Sequence, residues 1–523
     1  MYSSIITGAV HGVDSYLMRV ETDISNGLPS FNMVGFMSGE MREAGERVRV
    51  ALKNLGIHMP PQRITVNLSP AGIPKRGIVV DLPVSVGLLV CLGYIPDEAV
   101  NNVLIAGELG LNGEIRPVKG ILSIVMEAKR NGVDTCLVPN GNLSEGALIH
   151  GIRVVGVRSL AELVNYLKKN PEERDRFLPP VEVDAEQLLR EADAKGYPDL
   201  SQVHGQRQAK KALEIAAAGF HNILMSGPPG TGKSMLAKCL PGIMPPLTTE
   251  EALEITRIYS AAGLLPEDTA LITERPFLSP HHSVTRAVLI GGGSTPAPGL
   301  ITLAHLGVLF LDEISEYKAG ELNSLREPLE NQEITIRRLT GAYRYPARPL
   351  LVAASNPCPC GYYPDMNRCN CTPKEVLRYQ KRISGPFIDR IDFRVYVGRV
   401  NAEELQGNDM EESSAAVRIR VEEAIERQKR RFKGTPFHFN ADMTPDAVEH
   451  FCSLDSLLTA KMRIVYDQMG MSVRSYHKAL KMARTIADLN GREMILERDL
   501  MMAVGFRLPE LTEEEKGSGK EFY

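Results

Sequence analysis

Short apolar runs alternate with stretches of helical period along the first third of the chain. Ile64-Thr65-Val66-Asn67-Leu68 and Val103-Leu104-Ile105-Ala106 read as strands, and Glu43 to Leu55 and Ile121 to Arg130 read as helices. Residues 1–170 are therefore expected to form a self-contained α/β domain. From Asn170 to Tyr197 the period fades, charge rises and Pro171, Pro179 and Pro180 appear, so 171–198 reads as a linker. The α/β pattern resumes over 199–397. Beyond it, over 398–511, the chain reads as helical: Ser413 to Arg431 is charged and amphipathic, and Ser472 to Asn490 sets Ala479, Met482, Ala483 and Ile486 at helical spacing. The last residues, 512–523, are polar and expected to fray.

Composition changes this picture little. A chain of 523 residues suits two to four domains, and a net charge of −4 announces neither nucleic acid nor membrane, so any such contact must come from a local patch. The N-terminus lacks a basic segment followed by an apolar one, and the apolar run Ile78 to Gly93 holds Asp81 and Pro83 and is too short to span a bilayer. A soluble, cytoplasmic protein without membrane partners is the expectation. Of eight cysteines, Cys91, Cys136, Cys239 and Cys452 stand alone in apolar surroundings, as small core residues do.

Candidate chemistry begins at Gly227-Pro228-Pro229-Gly230-Thr231-Gly232-Lys233-Ser234, which fits the phosphate-binding P-loop G-x-x-x-x-G-K-[ST]. An apolar run from His221 to Ser226 precedes it and a helical pattern from Met235 follows, the strand–loop–helix context that the motif needs. Glycines let the backbone wrap phosphate oxygens, Lys233 would reach the β- and γ-phosphates of ATP, and the Ser234 hydroxyl would ligate Mg²⁺. Gly307 to Leu311 is a buried-strand run ending in Asp312, which would hold Mg²⁺ through water, and Glu313, which would act as general base. Leu350 to Ser355 is another apolar strand, ending at Asn356, which can orient the same water.

Cys358, Cys360, Cys369 and Cys371 form the spacing C-x-C-x₈-C-x-C. Four thiolates from two nearby turns can surround one structural Zn²⁺ and leave no open ligand position. Four reduced, metal-free thiols are the alternative. Glu333 to Tyr345 alternates on both sides of a Gly-containing turn and reads as a β-hairpin carrying Arg337, Arg338, Tyr343 and Arg344. These residue types suit phosphate contact and base stacking, although an edge hairpin kept soluble by its charge would carry arginines too.

The ordered series of P-loop, Asp312-Glu313 and Asn356 resembles the AAA+ superfamily. That resemblance puts Asn356 in the sensor-1 place. It makes Arg390, in Gly385-Pro386-Phe387-Ile388-Asp389-Arg390-Ile391-Asp392, the candidate arginine finger, and Arg474, in Ser472-Val473-Arg474, the sensor-2 candidate. A finger reaching into the neighbouring subunit's nucleotide implies a homo-hexameric ring. The segments RPFLSPHHSVTRAVLIGGG, PGLITLAHLGVLFLDEISEY and LREPLE resemble the magnesium-chelatase ATPase subunit, and the hairpin lies where MCM-like helicases carry a DNA-touching pore hairpin. Gly107 to Gly120 and Pro74-Lys75-Arg76-Gly77 resemble Lon-type protease domains, but the serine position falls at Val79 and the lysine position at Leu122. Two aliphatic residues cannot form a Ser–Lys dyad, and Ser85 and Lys119 are out of register for it.

Taken whole, the chain resembles the ComM/YifB family. The resemblance implies an N-terminal Lon protease-like α/β domain without peptidase activity, an AAA+ P-loop NTPase core with a four-cysteine insert at 356–373, and a helical C-terminal lid of the magnesium-chelatase type. It further implies an ATP- and Mg²⁺-dependent hexamer acting on branched or single-stranded DNA, promoting branch migration in natural transformation alongside recombination proteins. A chelatase-type remodeller of a partner protein is the alternative. An ATP-dependent protease is disfavoured by Val79 and Leu122.

Overall fold

A computed structural model describes residues 1–34, 39–70, 80–192, 196–266, 269–293, 296–339, 341–400 and 411–507. The N-terminal α/β domain is built on a seven-stranded mixed sheet. Its strand order is Ser30–Val34, Arg63–Ser69, Asp14–Ser25, Tyr2–His11, Val103–Ile105, Thr135–Pro139 and Arg153–Val157. In the long hairpin Tyr2–His11/Asp14–Ser25 the second strand alternates buried and less buried positions over its later half, whereas Ile5 to Ala9 of the first are all buried, as in a strand covered on both faces. Helix Asp81–Cys91 is buried along its whole length. It approaches the sheet so closely that a Cβ on Gly87 would stand 2.7 Å from Thr22 Oγ1. Its buried Asp81 takes a two-pronged bond from Arg47, at 2.8 and 3.0 Å.

The central domain carries a five-stranded parallel sheet in the order Phe277–Leu278, Val308–Leu311, Leu350–Ser355, Ile223–Ser226 and Phe393–Tyr396. Every residue of Val308–Leu311 and Leu350–Ser355 is buried, as expected of parallel strands covered on both faces. All the strands end on the same side, so their C-terminal loops converge there. The expected hairpin is present as Glu333–Arg338 paired with Gly341–Pro346.

The C-terminal part is helical. Ser414–Arg431, capped by Ser413, packs on the helix after the P-loop (Lys233–Ile243), on Arg207–Gly219 and on Val473–Leu489. In Val473–Leu489 the periodic residues Ala479, Met482, Ala483 and Ile486 all lie in the core. Asp392 ties this lid to the sheet. It accepts from Asn222 N at 2.8 Å and pairs with Lys478 at 2.9 Å. Burial pushes its carboxyl up, but Lys478 and His221 outweigh this and hold it well below the usual carboxylate range.

Residues 171–198, read as a linker, carry two short helices, Pro171–Phe177 and Ala185–Glu191. Their caps, Asn170 and Asp184, are side chains that satisfy orphan N–H groups locally, a signal with no apolar period to reveal it. Val181 N donates to Val154 O at 2.9 Å, so the segment adheres to the N-terminal sheet. The two domains also share a core. Ile121, Leu122 and Val125 of helix Ile121–Arg130 cluster with Ala252 and Ile255 of helix Thr249–Ala262. Among the described residues no helix is long and apolar enough to cross a membrane.

Candidate nucleotide site

The P-loop leaves the strand Ile223–Ser226 at Gly227, whose N–H donates to Ser355 O at 3.2 Å. A Cβ at Gly227 would stand 2.2 Å from Val397 O, so only glycine fits there. Gly230 and Gly232 take φ of +76° and +90°, and a Cβ on either would meet nothing within 4 Å. These positive-φ glycines turn the loop into an open concavity at the N-terminus of the 11-residue helix Lys233–Ile243, a favourable place for anionic oxygens. Thr231 Oγ1 braces the loop by donating to Pro228 O at 2.9 Å.

The predicted polar groups converge on this concavity. Lys233 Nζ donates to Gly227 O at 2.6 Å, to Pro228 O at 2.8 Å and to Asn356 Oδ1 at 3.3 Å. Burial lowers the lysine's pKa, while Asp312 and Glu313 raise it. Ser234 Oγ donates to Asp312 Oδ2 at 2.8 Å, and Asp312 Oδ1 accepts from Glu313 N at 2.9 Å. Glu313 itself is exposed and sits at φ +48° on the turn after the strand. An ammonium, a hydroxyl–carboxylate pair, an exposed carboxylate and a carboxamide around an open backbone cradle suit a polyphosphate with its divalent ion. Gln206 is a member that sequence reasoning missed: its Nε2 bridges Gly398 O at 2.6 Å and Thr231 O at 3.4 Å. No motif marks it.

Arg390 and Arg474 do not join this group. The Arg390 guanidinium pairs with Glu330, and Arg474, largely exposed, lies 3.8 Å from the same glutamate. They meet on a groove of 510 Å³ that is also lined by Lys478, Lys481 and Arg348. Glu330 closes the LREPLE segment, and its part in holding two distant arginines had no signal in the sequence.

At the hairpin, Arg337, Arg338 and Arg344 are exposed, and Leu339 at the tip is fully so. Tyr343 differs from expectation. Its ring stacks on His11 of the N-terminal domain at a centroid distance of 4.1 Å, and His11 Nε2 lies 3.1 Å from Ala342 O. Arg257 fastens the same turn, reaching Asp14 at 2.8 Å. Sequence proximity could not reveal a contact between residues 331 positions apart.

The four clustered cysteines come together, with their sulfurs all within 4.8 Å of one another. Cys358 Sγ lies 3.3 Å from Cys360 Sγ and 3.8 Å from Cys369 Sγ, and Cys360 to Cys369 is 3.6 Å. Tetrahedral zinc–thiolate geometry, with Zn–S of about 2.3 Å, needs sulfurs about 3.8 Å apart, so the set fits such an ion. Burial pushes the Cys360 thiol up, but hydrogen bonds from the Tyr362 backbone and the neighbouring thiols bring it down to about 6.

In the N-terminal domain, Leu122 is wholly buried, Ser85 Oγ is spent on Asp81 O at 2.8 Å, and Lys119 is exposed. Val79 and Pro74-Lys75-Arg76-Gly77 lie outside the described residues.

Known proteins give this arrangement a family. Residues 199–405 match the family described as magnesium chelatase, subunit ChlI; residues 20–142 match subunit ChlI of Mg-chelatase; and residues 411–507 match the ChlI C-terminal family. The uncharacterized protein YifB of Escherichia coli is 39% identical over 512 residues, covering 97% of this chain and 97% of its own. The competence protein ComM of Haemophilus influenzae is 37% identical over 506 residues, covering 96% of this chain and 97% of its own. The chain belongs to the ComM/YifB family of magnesium-chelatase-like AAA+ ATPases. Lon protease 2 of Bacillus subtilis is 26% identical over 187 residues, 32% of this chain and 33% of its own, a partial likeness in keeping with a Lon-like domain. ATP and Mg²⁺ are the cofactors that the family implies.

Proposed function

We propose that this protein is a ring-forming motor that hydrolyses ATP to move on DNA, with branch migration during recombination as its task. The observation that carries the ring-forming ATPase in this reading is the division of the ATPase parts. Lys233, Ser234, Asp312, Glu313 and Asn356 gather at the P-loop, whereas Arg390 and Arg474 are held together by Glu330 on a separate groove. Such a groove, offered to the P-loop of a second copy, completes a site between subunits, and a head-to-tail contact of that kind closes into a ring. Six copies is the number implied by resemblance.

In this reading a bound Mg²⁺ would supply positive charge to the phosphate oxygens. The chain's own residues do the rest. Lys233 and the N–H groups of 227–234 bind the phosphates, and Ser234 and Asp312 hold the metal. Glu313 takes a proton from the attacking water, and Asn356 orients that water. Arg390 and Arg474 of the next copy add positive charge where negative charge develops in the transition state. The exposed Arg337, Arg338 and Arg344 grip phosphates, and Tyr343 stacks on a base only after parting from His11. Cys358, Cys360, Cys369 and Cys371 hold one structural Zn²⁺, which orders the insert. A boundary near residue 170 and another near 397 separate the Lon-like, motor and lid units. A cytoplasmic site of action and recombination proteins as partners accord with a relative named a competence protein.

The test is ATP turnover with and without forked, four-way and single-stranded DNA. Stimulation by DNA supports the motor. Turnover indifferent to every DNA form, at salt low enough for binding, favours the second reading, a chelatase-type remodeller of a partner protein, which the family match over 199–405 keeps in view. Metal analysis of protein purified without added zinc should find about one Zn²⁺ per chain, as one four-thiolate site requires.

A further inference from the structure

The cysteine insert and the P-loop touch. Gly361 follows Cys360 and sits at φ +84°. A Cβ there would stand 2.6 Å from Pro229 Cδ and 3.3 Å from Cγ. Gly361 N donates to Cys358 O at 2.9 Å, so the turn that presents Cys358 and Cys360 is the turn that backs Pro229. Two other links run in parallel. Asn356, two residues before Cys358, reaches Lys233 Nζ at 3.3 Å, and Gln380 Nε2 holds the intervening Pro357 O at 3.2 Å. On the far side the Arg399 guanidinium lies 5.7 Å from the Tyr362 ring centre, and the adjoining Gly398 O shares Gln206 with Thr231 O of the P-loop.

We propose that metal occupancy of the four-cysteine site and nucleotide occupancy of the P-loop are coupled through the Gly361–Pro229 contact, with Gly361 acting as a positioning residue for nucleotide. The inference rests on the reading of the cysteines as a zinc site. Four thiolates around one ion fix the Cys358–Cys360 turn. Without the ion the same sulfurs are free to separate, and Pro229 loses the backbone wall behind it. The P-loop binds phosphate with main-chain N–H groups, so its affinity depends on the loop's shape more than on any one side chain. A wall that sets this shape changes affinity without touching the nucleotide. Thermodynamic linkage makes the effect reciprocal: whatever factor zinc contributes to nucleotide affinity, nucleotide contributes to zinc affinity.

The experiment is an equilibrium competition for zinc between the full-length protein and a chromophoric chelator, with and without saturating ADP and with no magnesium added. Zinc affinity should rise about tenfold with ADP, within the range usual for coupled sites. The dissociation constant of a fluorescent ADP analogue should rise by the same factor when zinc is removed. Pro229→Ala, which deletes the ring atoms facing Gly361, should bring the coupling factor towards one. Gly361→Ala should weaken ADP binding about tenfold at unchanged zinc content, and adding Pro229→Ala should restore part of that loss, because the new methyl then has nothing to strike. General strain at Gly361 predicts no such rescue.

Zinc affinity indifferent to ADP in a chain that binds one zinc overturns the coupling and leaves the zinc reading standing. Full coupling retained in Pro229→Ala, together with a Gly361→Ala loss that Pro229→Ala does not rescue, removes this contact as its route. A chain that takes up no zinc at all sinks the metal reading, and this inference with it.

Discussion

The P-loop and the helix Ile121–Arg130 are two regions of this molecule that differ in polarity and in room. At the P-loop, Lys233, Ser234, Asp312 and Asn356 reach one another by hydrogen bonds around glycines whose missing side chains leave open space. On the N-terminal domain, the position resembling a protease lysine is Leu122, wholly buried and clustered with Ala252 and Ile255 of the motor domain. Gly120 N, just before it, donates to Ser260 O across the same boundary at 3.1 Å. One face keeps polar groups and room for a ligand. The other packs Leu122 and its apolar neighbours against a second domain, with the buried Glu145 carboxyl beside the Leu122 N–H. An aliphatic residue there needs no hydrogen-bond partner once water is excluded, and it gains apolar burial in a cluster shared by the two domains.

The sharpest break of this comparison is at the polar face. Lys233→Ala should abolish nucleotide binding, measured with a fluorescent analogue, while Glu313→Gln should bind ATP and fall at least about a thousandfold in turnover, since it keeps shape and loses the base. Wild-type turnover by Glu313→Gln would remove that residue from the mechanism. Next is the arginine groove. Arg390→Ala should lose about 10³ in hydrolysis with ATP affinity retained, and mixing it with Lys233→Ala subunits should restore some activity. Mixed rings without rescue at any ratio would place Arg390 outside a shared site.

The apolar face can be attacked directly. Leu122→Lys recreates the missing amine in a buried interface, where the nearby Glu145 carboxyl is already held by Asn142 Nδ2 at 2.6 Å and by the Leu122 N–H. It should lower stability by about 3 kcal/mol, read from denaturant unfolding, and yield no peptidase activity. Peptide hydrolysis by this variant would show that the face is nearer to a protease than its packing indicates. The smallest expected effect is at the hairpin. Arg337→Ala with Arg338→Ala should weaken DNA binding across sequences, flatten its salt dependence by up to about two units and remove DNA stimulation while basal turnover survives. The control is the basic patch at the helix end, Arg427, Lys429, Arg430, Arg431 and Lys433, where Arg431 is already committed to Asp488. Loss of stimulation in the control but not in the hairpin variant would move the DNA contact to the lid.

The P-loop of the candidate nucleotide site was legible in the chain, because that part is local. A strand, a glycine loop and a helix follow one another over 223–243, and phosphate chemistry dictates residue type at each step. Helix Ile121–Arg130 and the hairpin from Glu333 were legible for the same reason, since periodicity is a local property. The four cysteines were legible through their spacing, and their sulfurs converge to within 4.8 Å of one another from two short turns.

What the sequence by itself determined, then, is each element's period and each motif's chemistry. Only the tertiary structure decided which of these meet. It placed Arg390 and Arg474, 84 positions apart in number, on one glutamate. It stacked Tyr343 on His11 and set Gly361 against Pro229. It turned Leu122 into an interdomain contact. These pairings depend on how sheets and helices stack in three dimensions, and the packing free energy that selects them belongs to the assembled core rather than to any window of the chain.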